Sequence, residues 1–181
     1  MLLIRHAQST WNLVFGASRI DAALPDPGLT EAGALACAAA AMELKDKGLQ
    51  RIVASPYQRT LKTAALLAEA LDVPIGIDAS VRERCAFSCD QGTPRSALEA
   101  LWPQLDFGDL EERWWGCTIE SNPSLVRRSR AFLARAAEWS DHDRVLVVTH
   151  WGFIRCVTGL EVGNLATASV DPTSSTVAAL N

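Results

Sequence analysis

No apolar run in this chain approaches the ~20 residues a membrane-spanning helix needs; the longest candidate, 35–42, is mostly alanine. Nor does the start read as a secretory leader, because Arg5 and His6 interrupt the first apolar stretch too early. Positive charge is not in surplus either. The net charge is −4 and the pI about 5.4, which argues against nucleic acid or an anionic membrane as partner, since both reward a basic surface. The five cysteines (Cys37, Cys85, Cys89, Cys117, Cys156) are odd in number and lack a disulfide rhythm. Reduced thiols in a cytoplasm are the expectation. Only three histidines exist, none near Cys85, Cys89 and Cys117 in sequence, so no zinc site is expected there. A Walker-type glycine loop and a magnesium-type carboxylate cluster are both missing. Repeats and low-complexity linkers are missing too. With 49% hydrophobic and 21% charged residues, the expectation is one soluble globular domain over 1–181.

What is present is a series of short apolar runs, each ending in polar chemistry. Leu2-Leu3-Ile4 leads into Arg5-His6, and then Ala7-Gln8-Ser9-Thr10-Trp11-Asn12. Residues 11–26 read as an irregular or partly helical loop, closed by Pro25-Asp26-Pro27-Gly28. Thr30 is an N-cap candidate for an alanine-rich helix running to about Lys47, with Gly48 as its left-handed cap. A second strand, 51–54, precedes Ser55-Pro56-Tyr57-Gln58-Arg59 and a helix over 59–71. A third strand is predicted at 73–77, followed by Val81-Arg82-Glu83-Arg84.

From 85 to 120 glycines and prolines break the pattern, with a short helix over 94–101. The segment from about 84 to 120 reads as a lid or insertion over the sheet edge, with Trp102, Phe107, Trp114 and Trp115 as its local core. Ser121-Asn122-Pro123 starts a helix reaching about Trp139, with Leu125, Ser129, Phe132, Leu133 and Ala136 on one face. Val145-Leu146-Val147-Val148 is the clearest strand, apolar without alternation and therefore buried on both faces. It ends in Thr149-His150, and a helix follows over 151–158. Residues 170–175 look turn-like and 176–180 suggest an edge strand.

Right-handed crossovers place such strand ends along one edge of a parallel sheet, where ligands bind. Arg5, His6, Arg59 and His150 would converge there as a pocket for a doubly charged oxyanion. Arginine presents paired donors to phosphate oxygens. A neutral imidazole is a competent nucleophile, and His6 is best placed to be it. Glu83 would then be the general acid, although a carboxylate between two arginines is also an ordinary ion pair. Its arginine neighbours favour ionisation, so burial or the bound phosphate's charge must hold its proton.

The stretch from Leu3 to Asn12 resembles the signature of the histidine phosphatase superfamily, which includes phosphoglycerate mutases and many small-molecule phosphatases. The resemblance recurs in order at Gly28-Leu29-Thr30-Glu31-Ala32-Gly33, Ser55-Pro56-Tyr57-Gln58-Arg59-Thr60, Val81-Arg82-Glu83 and Val148-Thr149-His150-Trp151-Gly152. It implies a three-layer α/β/α sandwich with a mostly parallel sheet and a phosphohistidine intermediate. Carried over, His6 is the nucleophile and Arg5, Arg59 and His150 hold phosphoryl oxygens. Glu83 moves the proton, and Ser9 and Asn12 assist with hydrogen bonds.

Two positions depart from the pattern. Ala7 stands where the family usually has glycine, which is tolerable if its φ is negative. Trp151 follows His150 in place of glycine; its indole either lines the pocket rim as a substrate contact or packs back into the core, and the core is slightly favoured. Mutases of the family hold a second acidic group with basic residues after the acid. Here that region offers Arg84, Arg95 and Arg113 among many carboxylates. The expectation is a metal-independent phosphomonoesterase, without a cofactor, acting on a small phosphorylated metabolite. The alternatives are phosphoglycerate mutase-type transfer and an inactive relative that binds phospholigands.

Overall fold

The computed structural model describes residues 1–116 and 118–174; Cys117 and the edge strand expected over 176–180 lie outside them. Among the described residues five strands form one sheet: β1 (Leu2–Arg5), β2 (Arg51–Ala54), β3 (Ile75–Ile77), β4 (Val145–Thr149) and β5 (Thr167–Ser169), in the order β3-β2-β4-β1-β5. The pairs β1–β4, β4–β2 and β2–β3 are parallel, and β5 runs antiparallel to β1. Pairing Arg5 with Thr149 and Ala54 with Val148 sets three strand exits side by side. His6, Ser55 and His150 are the first residues past them.

Successive strand residues point to opposite faces, so Leu3 and Ile4 enter two different cores. Ile4, Ile52, Ala54, Leu146 and Val148 pack under α2 (Glu31–Leu44) and α3 (Gln58–Leu71). Leu3, Val53, Val145 and Val147 pack under α5 (Asn122–Ala137) and α6 (Trp151–Thr158). Every residue of β4 is buried, as its unbroken apolar run requires. The result is the expected α/β/α sandwich. Among the described residues no helix is long and apolar enough to cross a membrane.

Most helix ends follow the sequence signals. Thr30 caps α2 by accepting the Gly33 N–H (2.9 Å), and a 3-10 turn (Lys45–Lys47) closes on Gly48 at φ 64°. Gly33 has a second reason to be glycine: a Cβ there would collide with the backbone of Gln8, against which α2 starts. Ser121 caps α5, whose buried face is Leu125, Ser129, Phe132, Leu133 and Ala136. Some boundaries differ, and one strand was not expected. The loop expected over 11–26 begins as a true helix, α1 (Thr10–Ser18); β3 starts at Ile75, beyond Pro74; and the edge strand beside β1 is β5.

The 84–120 segment divides in two. Arg84, Ala86, Phe87, Cys89 and Asp90 line the cavity at the strand exits. Leu98 of α4 (Arg95–Leu101), Phe107 and Trp114 are instead buried in the core on the α2–α3 side, with Trp102 and Trp115 packed against it. Trp114 sits edge-on to Tyr57, ring centroids 4.6 Å apart.

Candidate active site

A cavity of about 560 Å³ opens at the carboxyl edge of the sheet, with Arg5, His6, Arg59 and Glu83 in its wall. His6 is 3% exposed. Its Nδ1 lies 2.7 Å from the carbonyl of Ala7, and a carbonyl can only accept, so Nδ1 carries the proton. That tautomer leaves the lone pair on Nε2. Burial and the nearby Arg59 and Arg5 charges hold the ring's pKa well below its usual value of 6.5. His6 is a neutral base at neutral pH. Ala7 is not among the positive-φ residues, so its methyl group adds no backbone strain.

His150 stands as the residue before α6, its ring centroid 5.2 Å from that of His6. It is fully buried beside His6 and does not line the open cavity. Its Nε2 lies 2.7 Å from Ser55 Oγ, and Thr60 Oγ1 braces that serine at 3.2 Å. The Ser55–Thr60 stretch therefore positions the second histidine as well as the second arginine. Among the described residues, two buried nitrogens beside the nucleophile have no protein partner: Arg5 Nε and His150 Nδ1. Arg5 is oriented by its Nη1, which donates to the Val162 carbonyl at 2.9 Å.

Arg59 lies in the first turn of α3 and is 3% exposed. It donates to the Cys89 carbonyl (2.7 Å) and to Asp90 Oδ1 (3.2 Å), and lies 4.2 Å from the Tyr57 ring centroid. Asp90 is equally buried, and its Oδ2 accepts the N–H groups of Ala86 and Phe87, both at 3.0 Å. This carboxylate fixes the fork of Arg59 and shapes the loop beside it. Sequence reasoning left it undistinguished among the acidic residues of an aperiodic segment.

Glu83 reaches the same cavity. Its Oε1 accepts the N–H groups of Arg84 (2.8 Å) and Gly152 (2.9 Å), and Oε2 is 3.2 Å from the latter. Burial first, and then the Asp90 charge, raise its pKa; those two hydrogen bonds and Arg59 pull the other way. Burial wins, so the group is held toward its protonated form despite its arginine neighbours. With Oε1 doubly occupied as an acceptor, Oε2 is the natural seat of the proton. Gly152 is needed for this approach, because a Cβ there would strike Glu83 Oε1.

Ser9 and Asn12 line the cavity, but both are engaged in structure. Ser9 Oγ accepts the Asn12 N–H at 3.2 Å, and Asn12 Oδ1 accepts the Ser9 N–H at 3.1 Å, a reciprocal cap for α1. Asn164, which the sequence did not single out, donates to the His6 carbonyl (2.8 Å) and to Asn12 Oδ1 (3.2 Å). Trp151 does not pack back into the core as slightly favoured: it is half-buried in the cavity wall, 5.2 Å from the Arg155 guanidinium. As the first residue of α6 its side chain leaves on the cavity side, while Phe153 and Ile154 fill the core. Of Arg84, Arg95 and Arg113, only Arg84 lines the cavity. Arg95 pairs with Glu99, and Arg113 lies over Trp115. No group of three or more potential metal-ligating side chains occurs among the described residues.

Comparison with known proteins agrees with this geometry. The family model of the histidine phosphatase superfamily (branch 1) matches residues 1–180. A Yersinia enterocolitica relative named "Probable phosphoglycerate mutase GpmB" is 27% identical over 175 residues, covering 90% of this chain and 74% of that protein. A Proteus mirabilis relative of the same name is 27% identical over 172 residues, covering 89% and 74%. Among solved structures, a mycobacterial glucosyl-3-phosphoglycerate phosphatase superposes with a TM-score of 0.62 at 26% identity, covering 92% of this chain and 88% of that one. The ecdysone phosphate phosphatase of Bombyx mori reaches 0.70 at 15% identity, covering 99% and 91%, a likeness of fold. With the family model spanning nearly every residue and its signature side chains gathered at one sheet edge, the chain belongs to the histidine phosphatase superfamily, branch 1.

Proposed function

We propose that the protein is a phosphomonoesterase that transfers the phosphoryl group of a small phosphorylated substrate to His6 and then to water, with no metal in the transfer. The observation that carries this is His6 itself: a buried, neutral imidazole with its proton fixed on Nδ1, set in a cavity wall with Arg5, Arg59 and Glu83. Phosphatase activity in a solved relative of similar sequence supports the reaction class.

In the first step His6 Nε2 attacks phosphorus. The P–N bond forms as the bond to the leaving oxygen breaks, and Glu83 Oε2 gives that oxygen its proton. The alcohol departs and Glu83 is left ionised. In the second step Glu83 takes a proton from water, the water oxygen attacks phosphorus, and the P–N bond breaks. Inorganic phosphate, neutral His6 and protonated Glu83 are regenerated. Charge spreads over the three equatorial oxygens in each transition state, and fixed donors there are the main source of rate. Arg59, held in place by Asp90, supplies such donors. Arg5 Nε, in the cavity wall and without a protein partner among the described residues, is another, and His150 Nδ1, likewise unpartnered and beside the His6 ring, completes the set from just below that wall. The segment lining the cavity from Arg84 to Asp90 acts as a wall of the substrate site.

The test is phosphate release from simple esters in chelator-treated protein. Turnover should vanish in His6→Ala, and rapid quenching of the wild type should trap an acid-labile, base-stable phosphoenzyme. A mutase would instead move phosphate between glycerate positions when primed with a bisphosphate. A binding-only relative would bind phosphate and turn nothing over.

A further inference from the structure

Beyond the phosphoryl cradle, the cavity is walled by aromatic rings. Trp11 and Phe15, one turn apart on α1, stack with centroids 4.4 Å apart and planes 11° from parallel. Phe87 crosses from the other side of the cavity mouth to 5.2 Å from Trp11 and 5.3 Å from Phe15. All three line the cavity, and Trp151 gives it a second aromatic surface.

The cluster is built into the fold. The Trp11 indole N–H donates to Asp21 Oδ1 at 2.9 Å, and Asp21 Oδ2 accepts the Ser88 N–H at 2.8 Å. One carboxylate thus ties the segment after α1 to the loop carrying Phe87 and sets the rings facing one another. Trp11 itself is 9% exposed, whereas Phe87, in the same cluster and on the same cavity wall, remains 43% exposed. A cluster that served only as core would close over its own rings; this one leaves apolar surface at the mouth of a catalytic cavity.

Besides Arg19, the polar residues lining the cavity outside the cradle and its Asp90 brace are Ser9, Asn12, Arg84, Glu161 and Asn164, each held by a protein partner through part of its hydrogen-bonding capacity. Asn12 and Asn164 bond to each other, Arg84 gives its Nε to the Glu120 carbonyl, and Glu161 pairs with Arg155 at 3.3 Å. Arg19, 5.9 Å from the Phe15 ring centroid, adds a cation to the aromatic side. A site for a glycerate or a sugar needs unengaged hydrogen-bonding groups to replace the water around its hydroxyls. Phe87, exposed beside the stacked Trp11–Phe15 pair, offers a planar apolar surface instead.

We infer that the leaving group is an apolar, ring-bearing alcohol, an aralkyl or fused-ring group that lies against Trp11, Phe15 and Phe87 while its phosphate occupies the cradle. This rests on the phosphatase reading above and names the substrate class for the same site. A cavity of about 560 Å³ is of the size that takes a molecule of a few rings.

The experiment compares four alkyl esters, so that acidity of the leaving group does not decide the order. These are 2-phenylethyl phosphate and 2-(1-naphthyl)ethyl phosphate against glycerol 3-phosphate and 3-phosphoglycerate. The expected result is a kcat/KM about 10- to 100-fold higher for the ring-bearing pair, carried mainly by KM and larger for naphthyl than for phenyl. Phe87→Ala should lower that preference about tenfold, and Phe87→Leu, which keeps apolar bulk, should restore part of it. Equal or better turnover of glycerol 3-phosphate or 3-phosphoglycerate, still dependent on His6, would overturn the leaving-group assignment and leave the phosphatase standing. A preference unchanged in both Phe87 variants would also overturn it. Turnover of none of the four would overturn both.

Discussion

Replacing Gly152 with alanine tests whether Glu83 is the proton donor without touching any acid, base or arginine. The added methyl group would meet Glu83 Oε1 head-on, whereas its next neighbours, Glu83 Cδ and Arg84 Cβ, lie at 3.3 and 3.4 Å and can give slightly. The carboxyl group must therefore retreat by about 1 Å, and a displacement of that size at a reacting group can cost about 10²-fold. General acid catalysis as a whole is worth roughly 10²–10⁴-fold, so a partial loss of this order is consistent with a displaced, not deleted, acid. The fold should survive. Alanine in a helix is favoured over glycine by up to about 1 kcal/mol, against two weakened hydrogen bonds worth about 0.5–1.5 kcal/mol each. The net change shifts Tm by only a few degrees, at about 2–4 °C per kcal/mol for a chain of this size. The assay is steady-state hydrolysis of an alkyl phosphate beside p-nitrophenyl phosphate, whose leaving group departs without a proton. The alkyl ester should slow about 10²-fold and the aryl ester by less than about tenfold. Equal slowing of both, with an unchanged melting curve, would refute the assignment of the proton to Glu83.

Asp26 accepts three hydrogen bonds, from Gln58 N–H, Thr93 N–H and Thr93 Oγ1, and so joins the start of α3 to the 84–120 segment. Asp26→Ala strands those donors at about 1–3 kcal/mol each and should lower Tm by about 6–36 °C, whereas Asp26→Asn, which tolerates the φ of 39° and keeps an acceptor, should cost less; differential scanning calorimetry decides. Asp90→Asn removes a negative charge that raises the pKa of Glu83, so the alkaline limb of the pH–kcat/KM profile should move to lower pH, while a mere loosening of Arg59 would lower the rate without moving the limb. Ser9→Ala removes the reciprocal cap of α1 and should cost about 1 kcal/mol, read as a Tm loss of about 2–4 °C.

The sheet was legible because its strands carry their signal in a few consecutive residues. Val145–Thr149 is buried on both faces and reads so from composition alone, and Thr30 and Ser121 announce their helices by side chains that cap them. The basic groups were legible for a related reason: each follows a strand closely, and parallel strands fix where their exits go. Helix α1 was legible only as part of an irregular or partly helical loop, although its signals were present. Ser9 and Asn12 form a reciprocal cap with asparagine where glutamate or glutamine is usual, and Trp11 and Phe15 are one turn apart. Nine residues with Gly16 among them and no apolar stripe give little period to detect. Asp90 was illegible for a stronger reason. Its importance lies in a contact with Arg59, 31 residues earlier, made through a loop whose path follows no local periodicity. The side-chain direction of Trp151 was equally unavailable from a list of residues, because both faces of an amphipathic helix start one residue apart.

The two perturbed groups set the pH behaviour, and its sign can be worked through. His6 must be neutral to attack, and its pKa lies well below 6.5, so the rate rises with pH through that depressed value and is unaffected by His6 near neutrality. Glu83 must be protonated to donate, and its pKa lies above 4.5, so the rate falls as pH climbs through that raised value. The upper pH limit of activity in the free enzyme is therefore set by Glu83. Substrate changes the balance. A phosphoryl group in the cradle brings negative charge beside a carboxyl group that Asp90 already disfavours ionising, and a like charge nearby raises a carboxyl pKa further. Because kcat/KM reports the free enzyme and kcat the complex, the alkaline limb of kcat should lie at higher pH than that of kcat/KM for one alkyl ester. In Glu83→Gln neither profile should keep that limb. If the two wild-type limbs coincide, the bound phosphate is not acting on Glu83, and the group holding the proton must be sought elsewhere in the cavity.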